Sequence, residues 1–363
     1  MGATVTQCVV RPGELVSGDE AMGVGAMGVG AVGGRSWLGW LMREFIRYGV
    51  TDFVLLSDAV PADLQASLPA QVRIVRSAPP AGSGSGGALL HVRDQLQDRF
   101  LWYDGSALFD WNLADLLADQ AAAVGRIARF DVGTIGLFRK RLVDHLRPAG
   151  DLEADVLPDL VRRGLVRVMP AQGRDAGPGS PDAHRVESAD IVARLRRRAV
   201  FLDRDGVLNV DHGYVGSRER FEWMDGALDA IRYATRAGWH VFVVTNQSGV
   251  ARGLYTEGEV RDLLDWMADQ VRGHGGTIDD VRFCPFHPEA ALEAYRQAHP
   301  WRKPSPGMLL DLIHAWELDP ERAVMVGDQA TDMAAAAAAG VAGHRFRGGN
   351  LFGFLRPILD REV

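Results

Sequence analysis

Asp203-Arg204-Asp205-Gly206-Val207-Leu208-Asn209 directly follows the apolar run Ala199-Val200-Phe201-Leu202. A short apolar run that ends in a glycine turn predicts a buried strand. Two carboxylates spaced i, i+2 at the end of a strand point to one side. At the carboxyl end of a parallel sheet, that side faces the ligand crevice. One acid held there can attack while the other moves a proton. A lone D-x-D, however, is also how an ordinary strand runs out into a solvated turn. Three further segments decide between these two interpretations.

Val241-Phe242-Val243-Val244-Thr245-Asn246-Gln247-Ser248-Gly249 predicts a central strand that delivers a hydroxyl and backbone N–H groups into a glycine-containing turn, a phosphate cradle. Arg302-Lys303-Pro304 sets two cations before a proline-rich turn. Ala323-Val324-Met325-Val326-Gly327-Asp328-Gln329-Ala330-Thr331-Asp332 predicts another buried strand ending in Gly-Asp. Acid pair, threonine, lysine, acid, in that order, is a set suited to phosphoryl transfer, where catalysis is mostly positioning and charge neutralisation.

On these motifs, residues 199–345 resemble the haloacid dehalogenase (HAD) phosphohydrolases. Within that superfamily, four stretches are similar to the D-glycero-D-manno-heptose 1,7-bisphosphate 7-phosphatase family. They are Asp203–Val215, Thr245–Gly253, Cys284-Pro285-Phe286-His287-Pro288 and Arg302–Met308. The histidinol-phosphate phosphatases share the core motifs and are the alternative; Asp211-His212-Gly213-Tyr214-Val215 favours the heptose branch. The resemblance implies a HAD-like doubly wound parallel sheet and a Mg²⁺-dependent phosphatase of nucleotide-activated heptose synthesis. It implies Asp203 as nucleophile, Asp205 as acid and base, and Thr245 and Lys303 on the phosphoryl oxygens. It implies Asp203, Asp328 and the backbone carbonyl of Asp205 as metal ligands, with Asp332 steadying the metal site or Lys303 from behind, or simply standing at a helix N-terminus. Asn246 and Ser248 would hold phosphate or the loop. Arg302 would meet a second phosphate or a surface acid. His212 and Tyr214 would contact sugar hydroxyls over the pocket, or in the case of Tyr214 simply pack.

The same resemblance raises structural zinc, which that family commonly binds through Cys-x-His and a later Cys-x-Cys. Here Cys284 matches, but Phe286, His299 and Trp301 stand at the other three positions. Cys284, His287 and His299 offer three donors where a tetrahedral site takes four. No complete zinc site is therefore expected, and Phe283, Phe286, Tyr295 and Trp301 are expected to hold the loop by packing.

The first half alternates helical and strand-like segments, which predicts an α/β doubly wound, Rossmann-like domain. Trp37–Tyr48 has helical spacing of large apolar residues, and Thr51–Ser57 reads as a strand. Gly84-Ser85-Gly86-Gly87-Ala88-Leu89-Leu90 reads as a glycine turn entering a helix, of the kind that lets a nucleotide approach backbone, or as a flexible loop. With Ala31-Val32-Gly33-Gly34-Arg35 and Leu108-Phe109-Asp110-Trp111-Asn112, it resembles the sugar-1-phosphate nucleotidyltransferases. The departures are large. Val10–Ser17 lacks the glycine-rich triphosphate loop, and Ser106 stands where that family has a metal-binding Asp. That family's second metal-binding Asp, near the end of the domain, has no evident counterpart after Met169. The expectation is a degenerate domain that binds or docks. A bifunctional phosphatase and heptose-1-phosphate nucleotidyltransferase is the alternative.

The 363 residues predict two domains, 1–175 and 198–363, joined by a linker at 176–197 whose first part is rich in glycine and proline. A net charge of −7 argues against nucleic acid as a partner. Arg194, Arg196, Arg197 and Arg198 read as a solvated face. No apolar run reaches membrane-spanning length, and Met22–Gly34 lacks signal-peptide order. Two cysteines make no disulfide framework. The expected setting is the cytoplasm and the expected partner a small-molecule sugar phosphate, with other heptose-pathway enzymes meeting the N-terminal domain.

Overall fold

The computed structural model describes residues 5–12, 31–32, 35–57, 64–65, 68–69, 71–105, 108–109, 111–118, 123–130, 133–170, 175–176 and 195–361. Gly33, Gly34, Ser106, Asp110 and residues 177–194 of the expected linker lie outside them. The chain forms two compact units, Met1–Leu195 and Arg196–Val363.

The N-terminal unit is built on strands β1 (Gln7–Pro12), β2 (Asp52–Leu55), β3 (Arg73–Arg76), β4 (Arg99–Gly105), β5 (Gly125–Phe130), β6 (Gly133–Arg139) and β7 (Val166–Met169). They form one sheet in the order β7-β5-β6-β4-β1-β2-β3. β6 runs antiparallel to both its neighbours, so the sheet is mixed. Helix α1 (Trp37–Arg47) starts where the Ser36 hydroxyl accepts from Gly39 N–H, an N-cap that satisfies one otherwise orphaned donor. Its Leu38, Leu41, Met42 and Phe45 are buried against β1, β2 and β4.

The glycine-rich stretch enters a helix, as the sequence predicts, and the space its glycines leave is filled from within the chain. Gly84 opens helix α2 (Gly84–His91), and the glycines admit the chain's own backbone. A Cβ on Gly87 would fall 2.2 Å from the Pro148 carbonyl oxygen, and one on Gly86 would fall 2.9 Å from that of Gly150. The Ser85 hydroxyl donates to Asp151 Oδ2 and accepts from Leu152 N–H, each at 2.8 Å. Close backbone approach is what glycine permits here.

The C-terminal unit has five parallel strands: β8 (Ala199–Leu202), β9 (His240–Asn246), β10 (Asp280–Cys284), β11 (Ala323–Gly327) and β12 (Ala342–Arg345). Their order is β10-β9-β8-β11-β12. Both faces are covered, which is why the strands read as continuous apolar runs without alternation. Val200, Leu202, Val241, Val243, Val324 and Val326 enter one core with helices α3 (Ala227–Arg236) and α4 (Glu257–Gly273). Ala199, Phe201, Phe242, Val244 and Met325 enter the other with α5 (Gly307–Trp316) and α6 (Ala330–Ala338). Each fully buried Val, Phe or Met contributes roughly 1.5–3 kcal/mol. From β8 the chain winds to β9 and β10 on one side, then crosses to β11 and β12 on the other. The direction reverses between β8 and β11, and their carboxyl ends define the ligand crevice.

Candidate active site

Asp203 follows β8 and Asp328 follows β11, so the reversal point brings the two acids together. The Asp203 N–H donates to Val326 carbonyl oxygen at 2.9 Å, which locks the two strand ends in register. Gly206, at φ +84°, turns the chain at once; a Cβ there would lie 2.6 Å from Asp328 Oδ2. Asp203, Asp328 and Asp332 offer oxygens that all lie within 4.8 Å of one another.

Lys303 is buried between two of these acids. Its Nζ lies 2.8 Å from Asp203 Oδ1 and 2.7 Å from Asp332 Oδ1, and it donates to Val244 carbonyl oxygen at 3.0 Å. Asp332 also caps α6, accepting from Gln329 N–H at 2.9 Å, so the helix-terminus and the lysine-holding interpretations of this acid both hold. Asn246 fixes the Lys303 backbone from both sides: its Oδ1 accepts from Lys303 N–H and its Nδ2 donates to Lys303 carbonyl oxygen, at 3.0 and 3.1 Å.

Three carboxylates against one ammonium leave a formal charge of −2. Burial, offset in part by Lys303 and reinforced by Asp332, pushes the Asp203 carboxyl up to about 7. Burial also raises Asp328, against the hydrogen bond from Gln329. For Lys303 burial opposes the charge, but Asp203 and Asp332 outweigh it and hold the ammonium above its ordinary value. Asp328 Oδ1 is buried with no hydrogen-bond partner. Excess buried carboxylate and an orphaned oxygen fit a hard divalent cation, which takes oxygen ligands.

Asp205 is held from three sides. The fully buried Arg204 donates from Nη2 to both its oxygens at 2.8 Å, Asn209 Nδ2 reaches Oδ1 at 3.0 Å, and Gln247 Nε2 reaches Oδ2 at 3.0 Å. Asp203, Asp205, Thr245, Asn246, Lys303 and Asp328 line one cavity of about 150 Å³. That is below the roughly 300–1,000 Å³ of pockets that enclose a drug-sized ligand and suits a small anionic group.

The structure does not bring His212, Tyr214 or Arg302 to the lining of that cavity. His212 Nε2 pairs with Glu222 at 3.0 Å. Tyr214, at φ +51° and exposed, lies beneath the guanidinium of Arg252. Arg302 donates to Phe286 carbonyl oxygen at 3.3 Å. At the positions where related phosphatases commonly bind zinc, Phe286 stacks on His299 with ring centroids 4.5 Å apart, and the Cys284 thiol, which burial pushes up, lies against Phe286 carbonyl oxygen. Arg204 and Gln247 carry no sequence signal of their own: Arg204 stands between two acids, and Gln247 stands inside the turn after Thr245.

A crevice at the reversal point of a parallel sheet, with paired acids, a buried lysine and a phosphate-sized cavity, defines a HAD-type phosphohydrolase. A family model described as HAD-hydrolase-like matches residues 300–350. The D-glycero-beta-D-manno-heptose-1,7-bisphosphate 7-phosphatase of Rhodopseudomonas palustris is 52% identical over 164 residues, covering 45% of this chain and 91% of the relative. The chain belongs to that phosphatase family and is a phosphoric monoester hydrolase. The D,D-heptose 1,7-bisphosphate phosphatase of B. bronchiseptica, solved with magnesium and phosphate, is 35% identical, covers 44% of this chain and 86% of its own, and has a TM-score of 0.38. A putative glucose-1-phosphate thymidylyltransferase from Bacillus anthracis is 12% identical, covers 51% of this chain and 94% of its own, and has a TM-score of 0.42. Among the described residues, no helix is long and apolar enough to cross a membrane.

Proposed function

We propose that this phosphatase removes the 7-phosphate of D-glycero-D-manno-heptose 1,7-bisphosphate, with magnesium and through a phosphorylated Asp203. The observation that carries the chemistry is the cluster of three acids, two of them buried on Lys303, with its excess of negative charge beside a phosphate-sized cavity. Support for the substrate comes from the name of the 52% identical relative.

An oxygen of Asp203 attacks phosphorus, the P–O bond to the sugar breaks, and the leaving sugar oxygen takes a proton from Asp205. Water then attacks the aspartyl phosphate, gives a proton to Asp205 and frees inorganic phosphate and the Asp203 carboxylate. Thr245 and Lys303 hold the phosphoryl oxygens. Asp203, Asp328 and the Asp205 carbonyl would hold magnesium, which when bound would supply the positive charge that lets a carboxylate approach a phosphate dianion. Asp332 steadies Lys303 from behind. Arg302, half-buried and next to Lys303 in the chain, is the partner for the second phosphate.

We read the N-terminal unit as a binding or docking module. Arg11 Nη1 spans both oxygens of Asp104 at 3.0 and 3.1 Å at the carboxyl ends of β1 and β4, so that carboxylate is already committed to an ion pair.

The site also predicts proton-linked metal binding. Asp203 has its pKa raised, so the metal-free folded protein keeps a proton there below pH about 7. Magnesium must displace that proton, so affinity rises with pH and levels off above about 7. Calorimetry in two buffers of different ionisation enthalpy should show proton release at pH 6 and little at pH 8.5. Equal release at both would contradict the assignment.

The regiochemistry is tested by ³¹P NMR of the turnover of heptose 1,7-bisphosphate. Loss of the 7-phosphate signal with the anomeric one intact is expected; loss of the anomeric phosphate would overturn the proposal.

A further inference from the structure

We infer that Gln247 is a positioning residue that ties the proton-transfer carboxylate, Asp205, to the phosphoryl-binding hydroxyl, Thr245, and aims both. The inference rests on the roles given to those two residues above.

Gln247 is 1% exposed and every polar atom of its amide is used. Nε2 donates to Asp205 Oδ2 at 3.0 Å and to Thr245 Oγ1 at 2.9 Å. Oε1 accepts from the Tyr255 hydroxyl at 3.0 Å. The amide turns its NH₂ end to Asp205 and Thr245 and its oxygen to the Tyr255 hydroxyl. One side chain therefore contacts the group that moves the proton and the group that holds the phosphoryl oxygen.

Two consequences follow for the hydroxyl and the carboxylate. Thr245 Oγ1 receives a hydrogen bond from Gln247, which leaves its own O–H to be donated. Thr245 lines the cavity, so that proton is available to a phosphoryl oxygen. Asp205 Oδ2 is shared between Gln247 and Arg204, and its Oδ1 between Arg204 and Asn209, which fixes the plane of the carboxylate. Proton transfer needs the acid within about 2.6–3.2 Å of its partner, so a carboxylate free to rotate would lose rate.

The anchor behind the amide is rigid. A Cβ on Gly216 would fall 2.1 Å from the Tyr255 ring, and one on Gly249 would fall 2.2 Å from it, so the ring is packed directly on two stretches of backbone. The Gln247 N–H donates to Cys284 carbonyl oxygen at 2.8 Å, which holds its main chain at the end of β9. Support of this kind behind a reacting group is what keeps it within its productive geometry.

The test is the leaving-group dependence of kcat/KM in Gln247→Glu and Gln247→Met, which keep the volume and remove the donor, and in Tyr255→Phe, which removes the anchor. Two esters are compared: glycerol phosphate, whose alkoxide must be protonated as it leaves, and p-nitrophenyl phosphate, whose phenolate need not be. Both lack the heptose, so an error in the assigned sugar leaves the comparison intact. Misdirected Asp205 should cost kcat/KM for glycerol phosphate on the order of 10²-fold, and for p-nitrophenyl phosphate roughly tenfold less. Tyr255→Phe should show the same pattern at smaller amplitude. Equal losses on both esters, or a lowered Tm with kcat/KM unchanged, would overturn the inference, since a purely structural glutamine has no reason to distinguish leaving groups.

Discussion

Asp203→Asn should release phosphate at least about 10³-fold more slowly than the parent protein, because the attack on phosphorus is assigned to its carboxylate oxygen and an amide is a far weaker nucleophile. The substitution should not unfold the unit. Asp203 is one of three acids facing a single ammonium, and burial pushes its carboxyl up to about 7. The sign follows from that shift. A carboxyl with a raised folded-state pKa favours the fold while protonated, and that contribution is lost as pH rises from the unfolded value through about 7. Asparagine carries no charge to desolvate, and Lys303 keeps Asp332. Metal-free Asp203→Asn should therefore melt at or above the parent Tm at pH 8, and the difference should shrink at pH 5. A variant that is both inactive and much less stable at pH 8 would show that the carboxylate, charged, is part of what holds the fold.

Lys303→Met should be costly in both respects. The ammonium joins Asp203, Asp332 and the Val244 carbonyl oxygen. Removing it leaves two buried acids facing each other and a buried carbonyl short of a donor. Breaking a buried ion pair from one side costs roughly 3–5 kcal/mol. Urea unfolding of the metal-free protein should show a loss of that order, with phosphate release at background. Adding Asp332→Asn removes one of the stranded charges and should restore part of the stability but none of the activity. Activity close to that of the parent in Lys303→Met would remove Lys303 from the phosphoryl site.

Much of this site is legible in sequence because the chemistry sits at strand ends. Ala199–Leu202, Val241–Val244 and Ala323–Val326 are apolar at every position because both faces of the sheet are covered. Where such a run stops at Asp203, Thr245 or Asp328, the first polar side chain must face the crevice. The supporting residues are less legible. Arg204 lies between two acids, and only the turn after β8 folds its guanidinium back onto Asp205 and the Val215 carbonyl oxygen. Gln247 depends on a tyrosine eight residues later, whose direction comes from packing against Gly216 and Gly249. No period or spacing encodes either contact. Lone glycine motifs mislead for the same reason. Gly84–Gly87 has the composition of a phosphate loop, yet what approaches it is the main chain of Pro148 and Gly150, more than sixty residues on in sequence. The antiparallel β6 escapes an alternating β/α reading because a strand pair without a helix between them leaves the same apolar pattern as any other strand.

The central claim, a phosphatase acting at the 7-position of a heptose bisphosphate, is tested most directly by one comparison. Purified full-length protein with magnesium is given each anomer of heptose 1,7-bisphosphate and, separately, histidinol phosphate, with Asp203→Asn as the control, and kcat/KM for phosphate release is measured. Release from a heptose bisphosphate anomer at a kcat/KM well above that for histidinol phosphate, abolished by the substitution, is the predicted result. Equal or faster release from histidinol phosphate, or release that survives Asp203→Asn, would contradict it.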